Sequence, residues 1–199
     1  SYGEYIRREE ALISKIKEID EGEYRIHNLV TRGDGLQAET LTANYNEALA
    51  FNYNSVSGYT SSPDERVRIL LEEIGYNRNG ENMNITNSSV IVADSILGVK
   101  YILDDEELSE YKKIFADEKK MVYKNPYVLP LAMGLMGDEK FNCEDEGNPF
   151  WCQNKILSEI VGEEVEVYQK VEVEKEDGKY IIPKTEDPIY MIAEGLGEI

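Results

Sequence analysis

The residues best suited to chemistry fall in one short stretch, NYNSVSGYTSS, over residues 52–62. Tyr53 and Tyr59 supply rings, Asn54 an amide and Ser57 a hydroxyl. Rings that stack, beside groups that donate and accept hydrogen bonds, suit a sugar-like or other polar ligand. The same residue types also build Asx and Ser turns that satisfy only their own backbone, which is the plainer reading. His27 is the single histidine. With no cysteine, second histidine or carboxylate motif beside it, it reads as structural rather than as a base or ligand. Cys143 and Cys152 lie nine positions apart in a turn-rich segment. A disulfide and a pair of free buried thiols both fit that spacing. Two cysteines and a distant histidine do not complete a four-ligand zinc site, so no metal is expected, and no cofactor. The sequence has no Gly-rich phosphate loop, no GxSxG turn and no HExxH. Acidic neighbours such as Asp104-Asp105 occur by chance in a chain with 40 Asp and Glu and read as solvated faces.

That acidity bounds the partners. A formal charge of −19 leaves no basic stripe to neutralise phosphates, which excludes nucleic acid. It also opposes docking on anionic lipid through surface charge. Tyrosine outnumbers phenylalanine 14 to 4, which favours half-buried rings with the hydroxyl at the surface. No run approaches the roughly 20 apolar residues of a membrane helix, and no signal peptide is visible. The abrupt opening at Ser1 and the end on GLGEI read as a domain excised from a longer protein.

The elements that must position these groups centre on Ser89 to Leu103, SVIVADSILGVKYIL, the most apolar run. It predicts a short helix or turn over 93–97, a helix end at Gly98 and a buried strand over 99–103. Residues 2–20 form an amphipathic helix, with Tyr5, Leu12, Ile16 and Ile19 on one stripe and charge on the other face. Tyr24 to Leu29 alternates as a strand. Residues 31–46 read as a polar loop and 44–51 as a short turn or helix. A helix over 64–74 starts with Ser62 as N-cap and Pro63 at its first position, and ends at Gly75. Residues 77–88 are a polar loop whose Asn84-Ile-Thr86 and Asn87-Ser-Ser89 match the N-glycosylation pattern. Residues 104–120 read as a charged linker or frayed helix. Met121 to Lys124 is a strand with a turn at Asn125-Pro126, and 127–135 is apolar and expected to be buried. An acidic loop over 137–149 leads to a helix over 149–161 closed by Gly162. The alternating tail, with a hairpin signal at Glu176-Asp177-Gly178, is expected to form a separate β-rich subdomain.

The order of these segments carries more than any one of them. YRIHN is followed by SVSGYTSS, by a helix closing on LEEIGY, by ADSILGVKYIL, by VYKNPYVLPLAMGL and by FWCQNKILSEIVG. This series resembles the large extracytoplasmic portion of the bacterial membrane protein YfhO family. There a gYsS-type loop, an LGVKYil strand and a vYxNxyaLPla strand recur in that order before an F…QN helix. The resemblance covers about residues 24–162, with LGVKY and YKNPYVLPLA its specific parts. It implies a polytopic glycosyltransferase that uses a polyprenyl-phosphate sugar to decorate cell-surface polymers such as teichoic acids. The transferase residues of that type lie in its membrane portion. The present stretch would then be non-catalytic and sit on the extracytoplasmic face of the membrane of a Gram-positive bacterium. Its partners would be the membrane portion of its own parent chain and a cell-surface glycopolymer, which it would help to bind. Within the matching segments, Tyr53, Asn54, Ser57 and Tyr59 are the candidate ligand contacts. Arg25 and Lys100 join them as cations able to meet a phosphate or carboxylate. Lys100 on an alternating strand equally faces solvent or pairs with an acid such as Asp94.

Two other classes stand beside this reading: a free-standing carbohydrate- or surface-binding module, and a cytoplasmic enzyme. A disulfide between Cys143 and Cys152 in natively isolated protein would speak against the cytoplasm. The expected fold is α+β: a mixed sheet centred on 99–103 and covered by helices over 1–162, with the β-rich appendix over 163–199.

Overall fold

The computed structural model describes residues 2–30, 46–59, 62, 64–76, 83–84, 89–134, 143, 147–176 and 179–191. The expected loops over 31–46, 77–88 and 137–149, Pro63 and the Asp177-Gly178 turn lie wholly or largely outside these residues. The first compact unit, Ser1–Glu166, is an α+β fold. Its four-stranded sheet runs in the order β1-β4-β6-β5. Strand β4 (Val99–Asp104) pairs in parallel with β1 (Arg25–Asn28) and antiparallel with β6 (Met121–Lys124). Strand β6 pairs antiparallel with β5 (Lys112–Ala116) at the sheet edge.

Successive side chains of a strand point to opposite faces, so β4 needs cover on both. On one face lies α1 (Tyr2–Ile19), whose Leu12, Ile13 and Ile16 pack with Tyr24, Ile26, Tyr101, Leu103 and Val122. The residues that alternate with these, among them His27 and Ile102, are also sealed from water. Helix α4 (Ile91–Ile96) lies there, and His27 meets its Asp94. A second cluster joins Ala93 of α4 to Leu71 and Ile74 at α3 (Glu65–Glu73) and to Cys152 and Ile156 of α5 (Pro149–Val161). The short helix α2 (Glu47–Ala50) precedes a two-stranded ribbon of β2 (Gly58–Tyr59) and β3 (Met83–Asn84).

Helix ends follow local chemistry. Asn148 caps α5 by accepting the Phe150 N–H at 2.9 Å, Pro149 occupies the first turn, and Gly162 closes it at φ 80°. Helix α3 departs from expectation, because its N-cap is Asp64 rather than Ser62, with the Asp64 side chain accepting from the Arg66 N–H. A carboxylate cap also meets the positive end of the helix, which a serine hydroxyl does not.

Three further expectations are corrected. Residues 112–116 form strand β5, not a linker or frayed helix. The strand is short, carries Lys112 and Lys113 and is largely exposed, as suits an edge that must not recruit a further strand. Residues 127–134 are not buried, and Tyr127 is 67% exposed. Ile19 is exposed at the end of α1, and the buried stripe includes Glu9 instead. The second compact unit, Val167–Ile199, contains the hairpin of β7 (Glu174–Glu176) and β8 (Lys179–Ile181) and an edge-to-face contact of Tyr168 with Tyr190.

Gly98 turns the chain from α4 into β4 with φ +68°, and a Cβ there would sit 2.5 Å from Leu131 Cδ2. Left-handed backbone costs a side-chain-bearing residue about 1–2 kcal/mol. Gly98→Ala is therefore expected to lower unfolding stability by at least about 1–2 kcal/mol in urea titration, while Gly134→Ala, with open space at its Cβ, changes it little.

Candidate functional site: a buried charge cluster at the end of the central strands

Asn28 ends β1 beside the Leu103 segment of β4, and its amide is the hub of the site. Its Nδ2 donates to Glu9 Oε2 and to Glu47 Oε2, both at 3.2 Å. Its Oδ1 accepts from Lys120 Nζ at 3.2 Å. Lys120 comes from the β5–β6 turn and pairs with Glu9 Oε1 at 2.6 Å. Tyr5 donates its hydroxyl to Glu47 Oε1 at 2.6 Å, and its ring faces the Lys120 ammonium at 5.4 Å. Glu9, Asn28, Glu47 and Lys120 are all buried. Each arrives from a different element: α1, β1, α2 and the β5–β6 turn. On the outside of the same turn, Arg8 holds Asp117 through Nε at 2.9 Å, and the Asp117 carboxylate accepts the Lys119 and Lys120 N–H groups.

The electrostatics are those of a clamp. One carboxylate, Glu9, pairs with the ammonium; the other, Glu47, is held by the Asn28 amide and the Tyr5 hydroxyl, and the neighbouring phenols are kept neutral. Tyr5 is pushed far above the usual phenol range by burial, then by its bond to Glu47 and the charges of Glu9 and Glu47. Tyr53 rises through burial first and then the charges of Glu47 and Glu9, against a lowering hydrogen bond with Asn28. Burial raises Asp117, but the Lys119 and Lys120 amides and then Arg8 outweigh it and hold the carboxyl low. Lys120 has its ammonium committed to Glu9 and Asn28, and so it ties α1 and β1 to the β5–β6 turn.

A second polar cluster lies on the opposite face of the sheet. Asp94 accepts from Tyr76 at 2.6 Å, Tyr111 at 2.6 Å and Ser89 at 2.5 Å, and His27 Nδ1 is 3.6 Å away. Burial pushes the Asp94 carboxyl up, yet His27, Ser89 and Tyr111 together pull it below the usual range. Ser89 reaches the carboxylate directly, so the group is not a serine–histidine–carboxylate relay.

The sequence-derived candidates are dispersed. Tyr53 turns inward to Asn28, while the Asn54 side chain is exposed and the Asn54 carbonyl accepts the Ile26 N–H at 2.8 Å, capping the free edge of β1. Ser57 is half-buried, with its N–H on Ser55 Oγ at 3.2 Å. Tyr59 lies in β2, paired with Met83. Arg25, at the start of β1, donates to the Leu97 carbonyl. The register of β1 against β4 steps from Arg25↔Val99 to Ile26↔Tyr101, which leaves Lys100 as the extra residue. Lys100 pairs with Asp20, not with Asp94, and its ammonium lies 5.4 Å from the Tyr24 ring centre. Arg25 and Lys100 thus sit at the start of the parallel strands and Tyr53 beside their end. Glu9, Glu47 and Lys120 were missed because charged residues in an acidic chain read as solvated. The signal that could have found Glu9 is its place three and four residues before Leu12 and Ile13.

Cys143 and Cys152 form a disulfide with Cα atoms 5.3 Å apart. Among the described residues, their sulfurs and a Glu73 oxygen lie within 4.8 Å of one another. Bonded cysteines have no thiolate to offer a metal.

The fold and these sealed clusters define an α+β domain whose buried ionisable groups lock its own elements together. No helix among the described residues is long and apolar enough to cross a membrane. Residues 1–187 match the family model described as bacterial membrane protein YfhO, and the chain belongs to this family. No curated protein matches the chain. No solved structure matches it.

Removing one partner of a buried ion pair typically costs about 3–5 kcal/mol. Lys120→Met is expected to destabilise by that order in urea titration, and Glu9→Gln in the same chain to recover part of the loss. Asp94 titrates lower folded than unfolded, so its contribution is whole above its ordinary pKa of 3.8 and is lost as pH falls through the lower folded value. Asp94→Asn should therefore flatten the acid limb of stability measured between neutral pH and strong acid.

Proposed function

We propose that this chain is a non-catalytic, extracytoplasmic domain of a polytopic membrane protein that resembles lipid-linked-sugar-dependent glycosyltransferases. The whole protein would modify cell-surface polymers, with its chemistry carried by the membrane portion. This domain would organise that portion or help it hold the acceptor. The observation that carries the reading is the match to a bacterial membrane protein family over 1–187 by a stretch in which no described helix can span. The Cys143–Cys152 disulfide supports placement outside the cytoplasm, where such bonds persist. The engagement of Glu9, Glu47, Lys120 and Asp94 in internal clamps supports a scaffolding role.

The test is topological. Leu49 is 79% exposed, and both native cysteines are bonded. In intact cells making the parent protein with every cysteine outside this chain replaced by serine, a membrane-impermeant maleimide is expected to label Leu49→Cys and to leave the same protein without that substitution unlabelled. Labelling that appears only after lysis would place the domain in the cytoplasm and remove the reading.

A further inference from the structure

Among the described residues, one shielded arginine keeps an edge of its guanidinium that no other group uses. Arg68 is the fourth residue of α3, one turn before buried Leu71, and its side chain is only 10% exposed. Its Nη1 donates to Glu65 Oε2 at 2.7 Å. Its Nε and Nη2 are sealed from solvent and have no acceptor. A charged donor left dry and unpaired is costly, so its presence in a folded domain calls for an account.

The edge has a defined chemistry. Nε–H and Nη2–H point the same way in one plane, a two-donor fork that matches two oxygens of one anion. Two other arginines show what this edge does in the same molecule. Arg8 gives Nε to Asp117 Oδ2 at 2.9 Å and Nη2 to Asp117 Oδ1 at 3.1 Å. Arg66 gives Nε to Asp64 Oδ1 at 3.2 Å and Nη2 to Asp64 Oδ2 at 2.8 Å. Both forks grip a carboxylate of the chain itself, although water reaches both side chains, at 24% and 90% exposure. The fork of Arg68 is better shielded than either, yet it takes no carboxylate in a chain that holds 40 Asp and Glu.

We propose that the Nε/Nη2 fork of Arg68 is a binding site for a two-oxygen anion, the carboxylate or phosphate group of a ligand. The site goes beyond the function proposed above and does not rest on it. Glu65 is 58% exposed, so the guanidinium that it holds lies within one side chain of solvent, and a ligand reaches the fork by displacing what covers it. Glu65 also tunes the site. It holds Nη1 and so fixes the plane of the guanidinium, but its negative charge lies beside whatever anion the fork takes. A net charge of −19 repels anions in general, so binding comes from contact with the fork and not from a diffuse field. A lysine ammonium has no planar pair of donors, which makes Arg68→Lys the discriminating change.

The test titrates the isotope-labelled 199-residue chain with inorganic phosphate and, separately, with acetate, each against chloride at equal ionic strength. The signal is the Nε–Hε peak of Arg68 in a proton–nitrogen correlation spectrum, with the backbone amides of α3 beside it. The expected result is a saturable shift with phosphate, with acetate or with both, and the anion that produces it names the ligand's group. Arg68→Lys is expected to abolish the saturable shifts of the α3 amides. Glu65→Gln keeps an oxygen for Nη1 and removes the neighbouring charge, so it is expected to lower the Kd several-fold. No saturable shift with either anion, or an equal shift with chloride, would overturn the proposal. So would saturation that survives Arg68→Lys, which would put the anion elsewhere. If Arg68→Lys does not fold, Glu65→Gln decides, since Glu65 is exposed; an unchanged Kd there would overturn the proposal as well.

Discussion

The burial of β4 on both faces is the constraint from which the rest of the domain follows. Val99, Ile102 and Leu103 are fully sealed, and Tyr101 nearly so. A strand covered on both sides cannot be satisfied by one layer of helices, so α1 must close one face and α4, backed by α3 and α5, the other. The route into the strand is equally constrained. Helix α4 delivers the chain through Gly98, and β1 lies parallel to β4, which requires a long crossover between them rather than a hairpin.

Cover of this kind brings charge inside. Glu9 occupies the stripe of α1 that must face the sheet, and Lys120 lies in the turn that must fold over the strand end. Neither is tolerable alone in a dry interior, and together with Asn28 and Glu47 they make one another admissible. An apolar replacement of the whole set could be as stable. What the ionic set adds is registration, because α1, β1, α2 and the β5–β6 turn must all be in place before the whole set is satisfied. The Asp94 group does the same on the opposite face, tying α4 to β1 through His27 and to Tyr76 and Tyr111.

This division explains what was legible in the sequence. Elements whose apolar residues keep a period, such as α1, α5, β4 and β6, are readable because burial and hydrophobicity coincide there. The α+β class follows from them. Strand β5 was not readable, since KKIFA at a protected edge carries lysines where a central strand carries valines. The clamp was not readable because Glu9 and Lys120 invert the usual link between charge and exposure. Tyr127, Leu131 and Met133 invert it in the other direction, being apolar and exposed. The order of short specific segments, LGVKY and YKNPYVLPLA above all, carried the family where residue chemistry could not.

Those two specific segments are adjacent in space as well as in order. Asn125 of the second binds the Val99 carbonyl of the first, and Leu131 lies against Gly98. One motif thus builds the central strand, and the other mounts an uncharged surface directly on it. A surface mounted on a rigid strand loses little conformational freedom when it is covered, whereas a loose loop would have to be ordered at the moment of contact. The stiffness that the two-sided burial of β4 imposes is therefore useful beyond stability: it gives the exposed run a fixed shape to present.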